Sequence, residues 1–115
     1  LVGWLKCTAL EGFAPRAGHF ARHLGLSAPP VALSSARSQW GNCDRKGRIR
    51  IAWRLVHVAP RLADYVIAHE VAHLVELNHS RRFWATLESL YPDCRSARRE
   101  LHLAAAAIPH IGGVP

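Results

Sequence analysis

Residues 65–80 read YVIAHEVAHLVELNHS, and two patterns overlap in that stretch. Tyr65, Val66, Ile67, Ala68, Val71, Ala72, Leu74, Val75 and Leu77 make a helix that is apolar nearly all round, and such a helix belongs in an interior. Set among them are His69, Glu70 and His73, the pattern H-E-x-x-H. Residues four apart stack on one helix face, so His69 and His73 can aim two imidazole nitrogens at one ion. Glu70 is rotated by about 100° from His69 and reaches a water on that ion rather than the ion itself. Buried His and Glu side chains are costly without partners. A metal would satisfy them, and the stretch predicts a buried, metal-bearing helix.

Three protein ligands and one open position describe a catalytic zinc. Glu76 shares the ligand face, but seven residues of helix carry it about 10 Å along the axis, too far for bonds of about 2 Å shared with both histidines. The chain must turn back first. Asn78 tolerates the left-handed conformation that ends helices, and His79 follows it. His79 is therefore the expected third ligand, in the spacing H-E-x-x-H-x-x-x-x-x-H. Glu76 then becomes a candidate to accept a proton from a ligand histidine and fix its tautomer. Tyr65, four residues before His69, and His57, in the loop before the helix, are candidates to stabilise an oxyanion.

Outward from this core, Ser80 is a fitting N-cap for a helix that puts Phe83, Trp84, Leu87 and Leu90 on one face. That face should pack on the metal helix and hold His79. Pro92 ends it, a last helix spans 96–107, and His110 to Pro115 reads as a frayed tail. Upstream, Pro60 suits the first turn of the metal helix. Ile49, Ile51, Trp53 and Leu55 alternate with Arg48, Arg50, Ala52 and Arg54, the pattern of a strand with one buried and one arginine-lined face. After the DRKG turn of residues 44–47 it should form a hairpin with the segment around Trp40, and an extended substrate could pair with it. Val31, Leu33 and Ser35 predict another short strand. Leu10, Phe13, Ala17, Phe20, Ala21 and Leu24 predict an amphipathic helix ended by Gly25, kinked at Pro15 or starting there. His19 and His23 on it lack an acidic neighbour and read as solvent-exposed.

The segment YVIAHEVAHLVELNHSRRFW, with Trp40-Gly41-x-Cys43 upstream and Tyr91-Pro92 downstream, resembles the YgjP-like zinc metallopeptidases, relatives of the SprT-like zincins. The likeness runs from about Leu10 to Leu101. It implies a minimal gluzincin-like domain with zinc on His69, His73 and His79 and Glu70 as base. The family's upstream motif usually runs lysine, serine, arginine, tryptophan, glycine, serine, cysteine; Gln39 and Asn42 depart from it. Metzincins share the histidine spacing but place glycine where this chain has Glu76 and use a methionine turn. This chain has no methionine.

The 115 residues predict a single domain, 1–115, with a modest core. Relatives usually carry further N-terminal sequence, and with its start at Leu1 the chain is expected to be the C-terminal part of a longer one. No apolar run is long enough to cross a bilayer and no signal peptide opens the chain. Cys7, Cys43 and Cys94 form no C-x-x-C pair, which predicts reduced thiols in a cytoplasmic protein and no cysteine zinc site. The net charge of +7 comes almost wholly from arginine, which suits phosphate as a partner.

The expected fold is α+β: a small twisted sheet packed against the H-E-x-x-H helix and covering helices. The expected function is zinc-dependent hydrolysis of peptide bonds. The alternatives are a DNA-associated SprT-like protease, a nucleoside triphosphate hydrolase, and a binding module in which zinc is only a staple. No phosphate-cradling glycine motif accompanies the second of these.

Overall fold

Burial follows the apolar run of residues 62–72. In the computed structural model, which describes residues 2–35 and 39–106 (backbone only for 2–9, 105 and 106), that run lies in helix α2, Pro60–Ala72. Every residue from Leu62 to Ala72 except Asp64 is buried there. Pro60 occupies the first turn, where its missing N–H costs nothing. The helix is enclosed because other helices and strands pack against it. They include helix α1, Val2–His23, strands β2, Gly41–Cys43, and β3, Ile49–Ala52, and helices α3, Arg81–Leu90, and α4, Cys94–Ala106, while strand β1, Val31–Ser34, packs on α1 and β3. Each large apolar side chain so enclosed contributes about 1.5–3 kcal/mol, and Ile67→Ala would cost about 2–5 kcal/mol.

The helix stops sooner than expected. It ends at Ala72 with His73 as C-cap, well short of Asn78. His73, Leu74 and Val75 donate to the carbonyls three residues back, at 3.1, 2.9 and 3.1 Å, so the ladder tightens and unwinds. Glu76 is consequently not carried up a helix face, and Leu77 is 46% exposed.

The sheet has the order β1-β3-β2. β3 runs parallel to β1, with Val31 opposite Ile49, and antiparallel to β2, with Gly41 opposite Ile51. The hairpin expected around Trp40 is present. Its turn is fixed by the Asp44 carboxylate, which accepts from the N–H groups of Lys46 (2.9 Å) and Arg48 (3.0 Å), and by Gly47 at φ 79°. The strand expected over 49–55 ends at Ala52, where its β1 partner ends at Ser34, and Trp53–His57 curl into a 3₁₀ helix. Ile49 and Ile51 face inward and Arg50 outward, as the alternation requires, whereas Trp53 and Leu55 reach the core from the 3₁₀ turn. Arg54 is bound locally: it donates to the Ser35 carbonyl at 3.1 Å and lies 4.8 Å over the Trp53 ring. Both edges of β3 are taken, so it is not the strand that could accept an extended chain. Among the described residues, a free sheet edge beside α2 belongs to β2.

α1 extends well beyond the expected helix at its N-terminal side and continues through Pro15. Pro15 faces solvent, where water can satisfy the carbonyl its ring leaves unbonded. Phe13, Ala17, Phe20 and Ala21 are buried, and His19 and His23 are exposed. Gly25, at φ 75°, closes the helix with N–H bonds from Gly25 to Arg22 and from Leu26 to Ala21, both 2.9 Å. The last helix begins at Cys94 and buries Cys94, Ala97 and Leu101 against α2. The Tyr91 hydroxyl donates to the Arg61 carbonyl at 2.9 Å and Arg61 pairs with Glu100, so the α3–α4 corner is tied to the start of α2. Ala36–Ser38 and the tail from His110 lie outside the described residues. Among the described residues no helix is long and apolar enough to cross a membrane.

Candidate metal centre

Two elements and the loop between them bring three histidines together. His69 stands in the last turn of α2, His73 caps that helix, and His79 lies just before the Ser80 N-cap of α3. One ligand nitrogen from each lies within 4.8 Å of the others, a span that an ion with bonds of about 2 Å gathers through small side-chain movements. The ring centroids are 4.9 Å (His69–His73), 5.2 Å (His69–His79) and 4.9 Å (His73–His79) apart. His69 and Glu70 are buried, His73 is half-buried and His79 is exposed, so the cluster opens to solvent on the His79 side.

Each helix ligand is oriented through its other ring nitrogen. His69 Nδ1 lies 3.3 Å from Glu70 Oε2, which selects the tautomer with hydrogen on Nδ1 and leaves a lone pair on Nε2. That Nε2 is buried and has no hydrogen-bond partner among the described residues. A buried polar atom in that state calls for something to bind. His73 Nδ1 lies 3.1 Å from the Glu76 carbonyl oxygen and donates to it, which leaves Nε2 free in the same way. Burial pushes the His73 pKa down. His79 is also lowered, first by burial and then by the neighbouring His69 and His73. Neutral imidazoles with free lone pairs are the form that binds metals, and this donor set fits a divalent ion of zinc's type.

The remaining expected residues separate. Glu76 does engage a ligand histidine, but through its backbone carbonyl; its carboxylate accepts from the Asn78 N–H at 3.4 Å. The tautomer role thus depends on the path of the loop and not on the acid. Tyr65 is fully buried, its ring 6.2 Å from that of His69 and 6.3 Å from that of Tyr91. Burial pushes its phenol up to about 12, so it keeps its proton. His57 is exposed at the end of the 3₁₀ helix, against Trp53, and lines a different hollow with Leu62, Glu100 and Leu103. Burial first, and then the charges of Glu70 and Asp44, push the Cys43 thiol up to about 11, so it keeps its proton at neutral pH.

Phe83 has a larger part than a packing residue of α3. Its ring lies 4.9, 4.5 and 4.8 Å from those of His69, His73 and His79, forming a floor under all three. Trp84, 37% exposed, stands at the rim, 6.0 Å from His79 and 6.4 Å from His69. The signal available in sequence was Phe83's position one helical turn after His79. Nothing in the spacing distinguishes a ring that packs on a helix from one that underlies a ligand set.

The model of a YgjP-like metallopeptidase domain matches residues 1–104. The crystal structure of the metallopeptidase zymogen of Pyrococcus abyssi abylysin resembles the chain with a TM-score of 0.73 at 18% identity, over 88% of this chain and 99% of that one. At that identity the likeness concerns the fold. No curated protein matches the chain.

Proposed function

The chain belongs to the YgjP-like metallopeptidase family, and we propose that it hydrolyses peptide bonds with zinc held by His69, His73 and His79 and with Glu70 as general base. A buried His69 Nε2 without a protein partner, converging with His73 and His79 beside a buried carboxylate, carries this conclusion. Zinc, when bound, supplies a Lewis acid that makes water acidic near pH 7 and polarises a carbonyl.

The chain's own residues supply the rest. The free edge of β2 offers backbone groups to an extended peptide beside Glu70. Glu70 takes a proton from the attacking water on its carboxylate and hands it to the leaving amine nitrogen. The Glu76 carbonyl and the Glu70 carboxylate hold His73 and His69 in the ligating tautomer. Tyr65, wholly enclosed, positions His69 from one turn below and does not meet substrate.

Elemental analysis of purified protein tests the ligand set. About one zinc per chain is expected, lost on changing His69, His73 or His79 to Ala; retention in His79→Ala would overturn the three-histidine site. Glu70→Gln then tests the base. It should cut hydrolysis of a casein or quenched-peptide substrate by about 10²–10⁴-fold with metal content unchanged.

A further inference from the structure

The motif Trp40-Gly41-x-Cys43 has no part in the ligand set, yet it forms the strand nearest the base. Trp40 is fully buried, and its carbonyl accepts from the Ala52 N–H at 2.8 Å, which clamps the start of β2 to the end of β3. Gly41 follows, paired with Ile51. A β-carbon added at Gly41 would stand 3.2 Å from Glu70 Cγ, 3.2 Å from Ile51 Cδ1 and 3.0 Å from the Arg50 carbonyl oxygen. Each is tighter than ordinary van der Waals contact. Backbone strain does not account for the glycine, since the positive-φ glycines are Gly25 and Gly47. Close approach is the remaining cause: glycine in a strand marks a place where another group must come near the backbone.

We propose that Gly41 is a positioning residue, whose missing side chain lets the edge strand seat the Glu70 carboxylate at the height the reaction needs. The inference rests on Glu70 being the base. Glu70 is 2% exposed and enclosed between strand and helix, so it has little room to retreat. Overpacking such a site forces side chains off their rotamers. Any residue larger than glycine at 41 therefore moves Glu70 against the histidines, or moves β2 away from α2. Either movement separates the base from a peptide held on the β2 edge, while the ligand nitrogens, fixed by α2 and α3, stay where they are.

The test is a double-mutant cycle in thermal stability, read without any substrate. Gly41→Ala is made in the natural chain and in Glu70→Ala, which lacks Cγ. Gly12→Ala, where an added β-carbon meets no atom within 4 Å, is the control for exchanging glycine as such. If Glu70 is what Gly41 accommodates, Gly41→Ala lowers the melting temperature at least twice as much in the natural chain as in Glu70→Ala. If Gly41→Ala alone fails to fold, folding of the pair supports the proposal. Equal losses in the two backgrounds, or failure of both chains to fold, would overturn it, because the Arg50 carbonyl contact would then account for the glycine. On a quenched peptide that the natural chain cleaves, Gly41→Ala should lower kcat at least 10-fold with KM and zinc content retained. A fall in zinc content or a change confined to KM would also overturn it. Loss of the Glu70 reading has a separate sign: Glu70→Gln would remain active, whatever the stability cycle gives.

Discussion

The two halves of the ligand set are held in opposite ways. His69 and Glu70 sit inside a helix enclosed on all sides, with almost no exposed surface. His79 stands exposed in a loop and is secured by the first turn of α3: the Ser80 hydroxyl accepts from the Phe83 N–H at 3.3 Å, and the Phe83 ring lies beneath the imidazole. The helix half is preorganised by the core of the protein. The loop half is delivered by the start of the next helix, so a change at the Ser80 cap should act on His79 without touching His69 and His73.

Phe83→Ala tests whether the halves are joined at the floor. It should cost about 3–5 kcal/mol of stability and weaken metal binding, because one ring underlies all three histidines; denaturant unfolding and zinc titration read the two effects. Next in size is the metal itself. Zinc at a hundred times its Kd should stabilise the fold by about 2.7 kcal/mol, and chelation should reverse the gain. In His79→Ala the gain should shrink sharply while the metal-free melting temperature stays unchanged, since His79 is exposed; a large metal-free loss would mean that the loop is part of the core. Ser80→Ala should cost about 1 kcal/mol and weaken zinc binding modestly, with unchanged binding showing that the cap does not hold His79.

The smallest effect lies at the β2–β3 turn. Hydrogen bonds from the Arg48 backbone, joined by those of the Arg48 side chain and the Lys46 backbone, hold the Asp44 carboxyl below its ordinary value. A folded-state value below the unfolded one gives stability that is present above the unfolded pKa and lost as pH falls through the folded pKa. Asp44→Asn should accordingly lower the melting temperature slightly at neutral pH. The difference should fade in acid below the ordinary aspartate range.

The pairing of His69 with His73 was legible in the sequence because a four-residue spacing has one meaning on a helix, and their apolar flanks said that the helix would be buried. That His79 would come back to His69 and His73 was legible for a partly mistaken reason. Glu76 is excluded by a loop that unwinds after Ala72, not by distance along a continuing helix. The end of β3 was not legible, since Ala52 ends that strand where Ser34 ends its partner, and pairing of that kind is set by distant residues. For the same reason the alternation of Ile49 and Ile51 identified a strand but could not say that β3 would be central and β2 the edge.

The early stop of α2 has an electrostatic consequence. Peptide dipoles aligned along Pro60–Ala72 sum to a partial negative charge at the helix's carboxyl end, where its last carbonyls point past His69 and His73. A helix running on to Asn78 would have placed His69 at mid-length and His73 more than a turn from the end, where that field is weaker. Ending at Ala72, it turns its negative pole toward the imidazoles, and a divalent cation gathered there would gain on the order of 0.3–1 kcal/mol from the backbone alone, before any side chain is counted.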